Sequence, residues 1–283
     1  MKTHQIPAED FDLELTLTCG QTFCWNRTEG ELYGDGSSRF YSFRKEEPMI
    51  VEQRGEIIRA ETPLPEKEVK KALGLDNDLE NIFSTFPEDQ KLQHALNELE
   101  GLRIVQDEFF PTLISYLCSP QMKIPRIKEM HNSIAERYGE TVEYGGEKLL
   151  KFPTLQQLSK ASEKELRDLG LGYRAEYVVK TVEILQGEGL AVSDDYEAAR
   201  EDLKKLYGVG DKVADCVLLF SLGFYEAYPL DTWALKVVEK DYPDLYSGSY
   251  EEASKNLRHY FGPYSGYAQE YLFHAARKGV IEV

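Results

Sequence analysis

The sequence predicts an α+β protein, a small N-terminal antiparallel β-sheet domain packed on a larger all-α body. Short apolar runs separated by glycine-containing turns fill the chain up to about Thr62, the pattern of an antiparallel sheet. From Pro65 the apolar residues recur at helical spacing and continue so to the C-terminus. With 283 residues and 42% apolar content, the chain is long enough to bury a sizeable core in one or two domains. The division expected is residues 1–100 for the sheet with its flanking helices and 101–283 for the helical domain.

In order, Phe11, Leu13, Leu15 and Leu17 alternate with Asp12, Glu14 and Thr16, which reads as a strand with one buried face. Further strands are expected at Phe23 to Asn26, Leu32 to Tyr33, Arg39 to Phe43, Met49 to Gln53 and Glu56 to Ala60. Helices are expected over Leu79 to Phe86, Leu92 to Leu99, Phe109 to Leu117, Ile124 to Tyr138, Lys164 to Leu169, Tyr173 to Leu185 and Thr232 to Glu239. Ser162 with Glu165 and Ser249 with Glu252 have the spacing of capping boxes. No internal repeat is evident.

No apolar run reaches membrane-spanning length, and the start lacks the apolar stretch of a signal peptide, so a cytoplasmic, chromosome-associated protein is expected, nuclear in a eukaryote. The four cysteines are scattered, which fits reduced thiols better than a disulfide framework. The net charge of −17 runs against nucleic-acid binding and leaves two accounts, an acidic proteome selected for a high-salt cytoplasm or a surface whose cations gather on one face, the second partly supported by the sequence. Lys123, Arg126, Lys128, Arg174, Lys204, Lys205 and Lys212 fall in or beside the motifs described next, and a basic face built from them is the expectation.

The most informative stretch runs from Leu206 to Asp231. A helix ending at Leu206 meets Gly208-Val209-Gly210, and a second helix starts near Asp211, making a tight helix-hairpin-helix over about 200–223. The first amides of the second helix have no intrahelical partner and suit an anion such as a phosphate. Lys212 lies in that first turn, where the helix dipole and an apolar wall disfavour the ammonium; a neutral amine is a nucleophile. Pro229-Leu230-Asp231 then places a carboxylate at the N-cap of the next helix. Taken singly, each part also reads as a connection, a solvated lysine or a plain cap.

Together, G-V-G-D-K-V-A-D-C followed by Y-P-L-D resembles the 8-oxoguanine branch of the helix-hairpin-helix DNA glycosylases. That resemblance implies base-excision repair of double-stranded DNA by a monomer, a bifunctional glycosylase and abasic-site lyase with Lys212 and Asp231 as catalytic residues. It implies Gly20, Cys216, Gln269 and Phe273 in the base pocket; Gln121, Met122, Arg126, Tyr173 and Arg174 at the DNA and the orphan base; and Gly208, Val209 and Gly210 in the phosphate-binding hairpin. The Gly20 carbonyl would accept the N7 hydrogen that ordinary guanine lacks. No cofactor is required on this reading, although a Na+ or K+ ion at the carbonyls of Lys204, Leu206 and Val209 is implied. The C-terminal region has no cysteines, so no iron-sulfur cluster is expected.

Three departures stand out. Gln121-Met122-Lys123 replaces the family's asparagine run, Trp233 stands where a histidine is usual, and Ala276 replaces its acidic partner. Two rival readings remain, a glycosylase for alkylated bases of the 3-methyladenine type and a non-catalytic hairpin module that binds DNA through its backbone.

Overall fold

The computed structural model describes residues 2–246 and 248–282. Among them, β1 (Thr3–Pro7), β2 (Asn26–Arg27), β3 (Arg39–Arg44), β4 (Glu47–Arg54) and β5 (Ile57–Glu61) form a five-stranded antiparallel sheet in the order β1-β5-β4-β3-β2. Alternation along β3 and β4 sends side chains to opposite faces. Phe40 opposite Val51 faces a core shared with Ile6, Trp25 and Ile58, whereas Tyr41 opposite Ile50 faces away from it. That second face is covered by a hairpin, β6 (Glu140–Tyr144) and β7 (Glu147–Lys151), whose Leu149 packs on Tyr41 and Ile50.

The helices are α1 (Leu13–Thr18), α2 (Glu66–Leu73), α3 (Leu79–Ser84), α4 (Gln90–Glu98), α5 (Phe109–Leu117), α6 (Ile124–Tyr138), α7 (Leu155–Leu158), α8 (Glu163–Leu166), α9 (Arg174–Gly187), α10 (Tyr196–Lys204), α11 (Asp211–Val217), α12 (Thr232–Asp241), α13 (Tyr250–Phe261) and α14 (Ser265–Lys278). The sheet covers its inner face with α2, through Val69, Ala72 and Leu73. Leu92, Ala95 and Leu96 of α4 instead join the large helical core. At the centre of that core lies α14, in which every residue from Ser265 to Ala276 is buried.

Several sequence expectations are corrected here. The segment expected as the opening strand is α1: Asp12 caps it by accepting from the Leu15 amide (2.8 Å), and Leu13, Thr16 and Leu17 share its buried face. Leu15 only mimicked a strand period. Leu32 to Tyr33 is not a strand, and Phe23 to Asn26 contributes only its last residue to β2. The pattern missed β1, an edge strand with one buried side chain, Ile6, and a terminal proline. It also missed the β6–β7 hairpin, whose Gly145 and Gly146 both take the positive φ (61° and 84°) that a two-residue turn demands. The Ser162 capping box is complete, while at Ser249 only the serine side of the pair forms.

Candidate active site

A cleft of about 1350 Å³ is walled by α11, the loop into α12, α14 and the segment around Gly20. The hairpin that presents α11 is fixed by sterics. Gly208 has φ +85°, and a Cβ there would meet the Tyr177 ring carbon at 2.5 Å. The Tyr207 carbonyl accepts from the Thr181 hydroxyl (2.8 Å), tying the turn to α9. Gly210 is the N-cap and supplies no side chain, so the first amides of α11 stay open to an outside acceptor. Below the turn, Asp215 is fully buried and accepts from Tyr196 (2.7 Å), Arg200 Nε (2.9 Å) and Tyr250 (2.7 Å). Tyr250 also accepts from the Leu230 amide (3.2 Å), so one phenol couples the lysine helix to the loop that carries Asp231.

Lys212 is half-buried, donates to the Ser119 hydroxyl (3.0 Å) and sits 5.2 Å from the Tyr116 ring centre. Asp231 caps α12 by accepting from the Trp233 and Ala234 amides (2.9 and 2.8 Å). Burial pushes its pKa up; those amides and the nearby Lys212 charge offset part of the rise. Amine and carboxylate open on the same cleft. Cys216, one turn beyond Lys212, lines it as well, its thiol pushed up to about 12 chiefly by burial.

The opposite wall is α14. Gln269 and Phe273, one turn apart, are 4% and 6% exposed and face the cleft. The Gln269 Oε1 is buried without a partner. Gly20 has φ +114°, and a Cβ there would collide with the Arg277 guanidinium at 2.4 Å and Ile124 at 2.6 Å. Gln121, Met122 and Tyr173 stand exposed on the cleft rim. Of the residues expected at the DNA and the orphan base, two lie outside the cleft wall, as does Val209 of the hairpin. Arg126 pairs with Glu129 (2.7 Å) and donates to the Gly170 carbonyl (3.3 Å). Arg174 is 3% exposed and spends its guanidinium on the Pro120 carbonyl, so it holds the rim loop in place of reaching into the cleft.

The expected basic face is also corrected. Lys128 is buried and donates to the Phe23 carbonyl (2.7 Å), its pKa lowered to about 7 by burial, and Arg174 is buried too. Lys204 is paired with Glu201 and Asp211, and Lys205 with Asp202. Of the seven cations, Lys123 and Lys212 remain facing the cleft.

Sequence reasoning missed Glu270 and Arg277, which line the cleft beside Gln269 and Phe273. Burial drives the Glu270 carboxyl up to about 8; the Asp231 charge adds to this, and Cys19 and Arg277 offset it. No local signal marks Glu270 in the sequence, because what makes it unusual is the burial of the helix on all sides. Trp233, at the family's usual histidine position, is part of the cleft wall, with Lys236 over its ring at 4.5 Å.

Among the described residues no group of three or more His, Cys, Asp and Glu side chains is arranged to hold a metal, and no helix is long and apolar enough to cross a membrane.

A mixed sheet-and-helix scaffold with a helical hairpin, a lysine and an aspartate at one cleft, and a buried amide beside an aromatic ring, defines an enzyme that does chemistry on an extruded nucleotide. Family models match residues 4–263 of this scaffold. Residues 4–113 match the 8-oxoguanine DNA glycosylase N-terminal domain, and residues 114–263 match the HhH-GPD superfamily base excision DNA repair proteins. The chain belongs to that superfamily, in its 8-oxoguanine DNA glycosylase branch. It is 31% identical to a probable N-glycosylase/DNA lyase of Methanothermobacter thermautotrophicus over 98% of this chain and 97% of the relative. It is similar to the crystal structure of Clostridium acetobutylicum 8-oxoguanine glycosylase/lyase in complex with double-stranded DNA containing cytosine opposite 8-oxoguanine (TM-score 0.84, 30% identity, 98% of this chain and 99% of that one). A 3-methyladenine DNA-glycosylase from Archaeoglobus fulgidus shares the fold at 22% identity (TM-score 0.76, 97% and 98% of the two chains).

Proposed function

We propose that this protein extrudes 8-oxoguanine from duplex DNA, releases the base and nicks the strand at the resulting site. The observation that carries the reading is the convergence of Lys212 and Asp231 on one cleft, beside a slot formed by Gln269 and Phe273. Extrusion costs a few kcal/mol of unstacking, which contacts to the flipped base offset. As the glycosidic bond breaks, its electron pair leaves with the base, which takes up a proton, and the Asp231 carboxylate stabilises the positive charge developing on the sugar. The neutral Lys212 amine attacks C1′; loss of its proton and opening of the sugar ring give an imine. The imine acidifies the C2′ hydrogen, and its removal expels the 3′ phosphate. Glycosylases that rely on water have no use for such a lysine.

On this reading Gln121 and Met122 fill the gap left by the base and Tyr173 stacks at the kinked step. Arg174 acts through the loop it clamps, and Arg126 meets the orphan base after releasing Glu129. The carbonyls of Lys204, Leu206 and Val209 would hold Na+ or K+, whose charge would favour a phosphate at the hairpin. Leu206 already accepts from the Val209 amide (3.2 Å) and would offer its second lone pair. Function at the chromosome follows from the substrate.

Single-turnover nicking of duplexes with 8-oxoguanine opposite each of the four bases is the test, with 3-methyladenine duplexes as comparison. Base release followed by strand scission on 8-oxoguanine is the expected result. Release of 3-methyladenine with no action on 8-oxoguanine would transfer the protein to the alkylated-base class, and binding without either reaction would leave only a DNA-binding module.

A further inference from the structure

Buried polar atoms without partners gather on α14: Oε1 of Gln269, Oε1 of Glu270, both ring nitrogens of His274 and Nη1 of Arg277, and of these residues all but His274 line the cleft. A buried donor and acceptor left unpaired are costly, and their survival at a cleft points to a ligand that completes them. Gln269 has its part in the function proposed above; Glu270 and Arg277 do not.

Both residues border Gly20. A Cβ on Gly20 would lie 2.4 Å from Arg277 Nη1, so the guanidinium rests against the glycine backbone. The other terminal nitrogen donates to the Thr18 carbonyl (3.3 Å), which fixes the arginine and leaves Nη1 as its free corner. The Glu270 carboxyl sits beside the thiol of Cys19, the residue before Gly20. Phe273 lies three residues after Glu270 and four before Arg277, and the Arg277 guanidinium is 5.8 Å from its ring centre. A base stacked on Phe273 would thus meet a free donor and a free acceptor on its Gly20 side.

That edge is where the lesion differs from guanine. In 8-oxoguanine N7 carries a hydrogen and C8 an oxygen, whereas guanine presents a bare N7 and a C8 hydrogen. We infer that Glu270 and Arg277 read the imidazole edge of the flipped lesion, Arg277 Nη1 donating to O8 and Glu270 Oε1 accepting from N7–H beside the Gly20 carbonyl. This inference rests on the function proposed above and adds its specificity determinants. Guanine offers Glu270 no N7 hydrogen and sets its C8 hydrogen against the guanidinium, so the pair favours the damaged base.

Abasic-site nicking needs no base contact and separates reading from packing. The full-length protein and the variants Arg277→Met and Glu270→Met are compared in single turnover on an 8-oxoguanine duplex and on the same duplex with a preformed abasic site. Each variant is expected to lose about tenfold or more in base excision, with abasic nicking kept within about twofold of the unaltered protein. Excision at the unaltered rate, or equal losses in excision and nicking, would overturn the assignment. An unaltered protein that leaves 8-oxoguanine untouched refutes the proposed function itself; variant effects on an active protein bear only on the reader.

Discussion

Two turns of the molecule share a Gly-x-Gly pattern and differ in what their cations do. Gly170-Leu171-Gly172 leads into α9, with Arg174 two residues past its second glycine; Gly208-Val209-Gly210 leads into α11, with Lys212 at the same offset. Both cations grip one loop at neighbouring residues, Arg174 the Pro120 carbonyl and Lys212 the Ser119 hydroxyl. Arg174 is buried, always charged, and offers a planar fork to the carbonyls of Pro120 and Leu171. It is a clamp. Lys212 is half-buried and resting on a hydroxyl that already donates to the Tyr116 carbonyl (2.7 Å), so its amine can leave that partner and attack carbon. The same local motif therefore serves structure or chemistry according to burial and the acceptor it meets.

Replacing each cation should separate the two roles. Lys212→Gln is expected to lower strand nicking at an 8-oxoguanine by at least about a thousandfold in single turnover, with thermal stability nearly unchanged. Asp231→Asn keeps a capping side chain and should cost about a hundred- to a thousandfold in base release. The native Asp231 carboxyl holds its proton to higher pH than an unfolded aspartate, so ionising it costs native stability as pH rises, while activity that needs the carboxylate climbs over the same window. A pH–rate profile of the Asn variant should lack that acid limb.

Arg174→Met should behave in the opposite way to Lys212→Gln. Leaving the buried Leu171 and half-buried Pro120 carbonyls without their charged donor is expected to cost about 2–3 kcal/mol in stability and to weaken DNA binding through the rim loop, while bound DNA is still nicked. Calorimetry and a comparison of binding with turnover check both. The smallest effect is expected from Ser119→Ala, under about threefold in nicking, because the hydroxyl only parks the amine. A loss as large as that of Lys212→Gln would break the contrast.

Much of this contrast was legible in the sequence, but unevenly. The hairpin, Lys212 and the Asp231 cap were readable because glycine punctuation, a first-turn lysine and a capping carboxylate are local signals, whereas Cys216 came only with the family resemblance. Phe109–Leu117 and Ile124–Tyr138 were readable from helical spacing alone. Burial was not. Arg174 and Lys128 look like surface cations in sequence and are interior donors to carbonyls, a fact set by how α6 and α9 pack against distant loops. Asp215 and Tyr250, which couple the lysine helix to the aspartate loop, lie thirty-five residues apart and carry no local mark. Glu270 hid beside Gln269 because only an all-buried helix makes a glutamate there unusual.

Borohydride reduction of the full-length protein during reaction with an 8-oxoguanine duplex, followed by peptide mapping of the crosslink, tests the central claim most directly. A covalent DNA adduct carried by Lys212 and missing from Lys212→Gln is the predicted result. An adduct on another residue, or trapping by Lys212→Gln at the unaltered level, would contradict it.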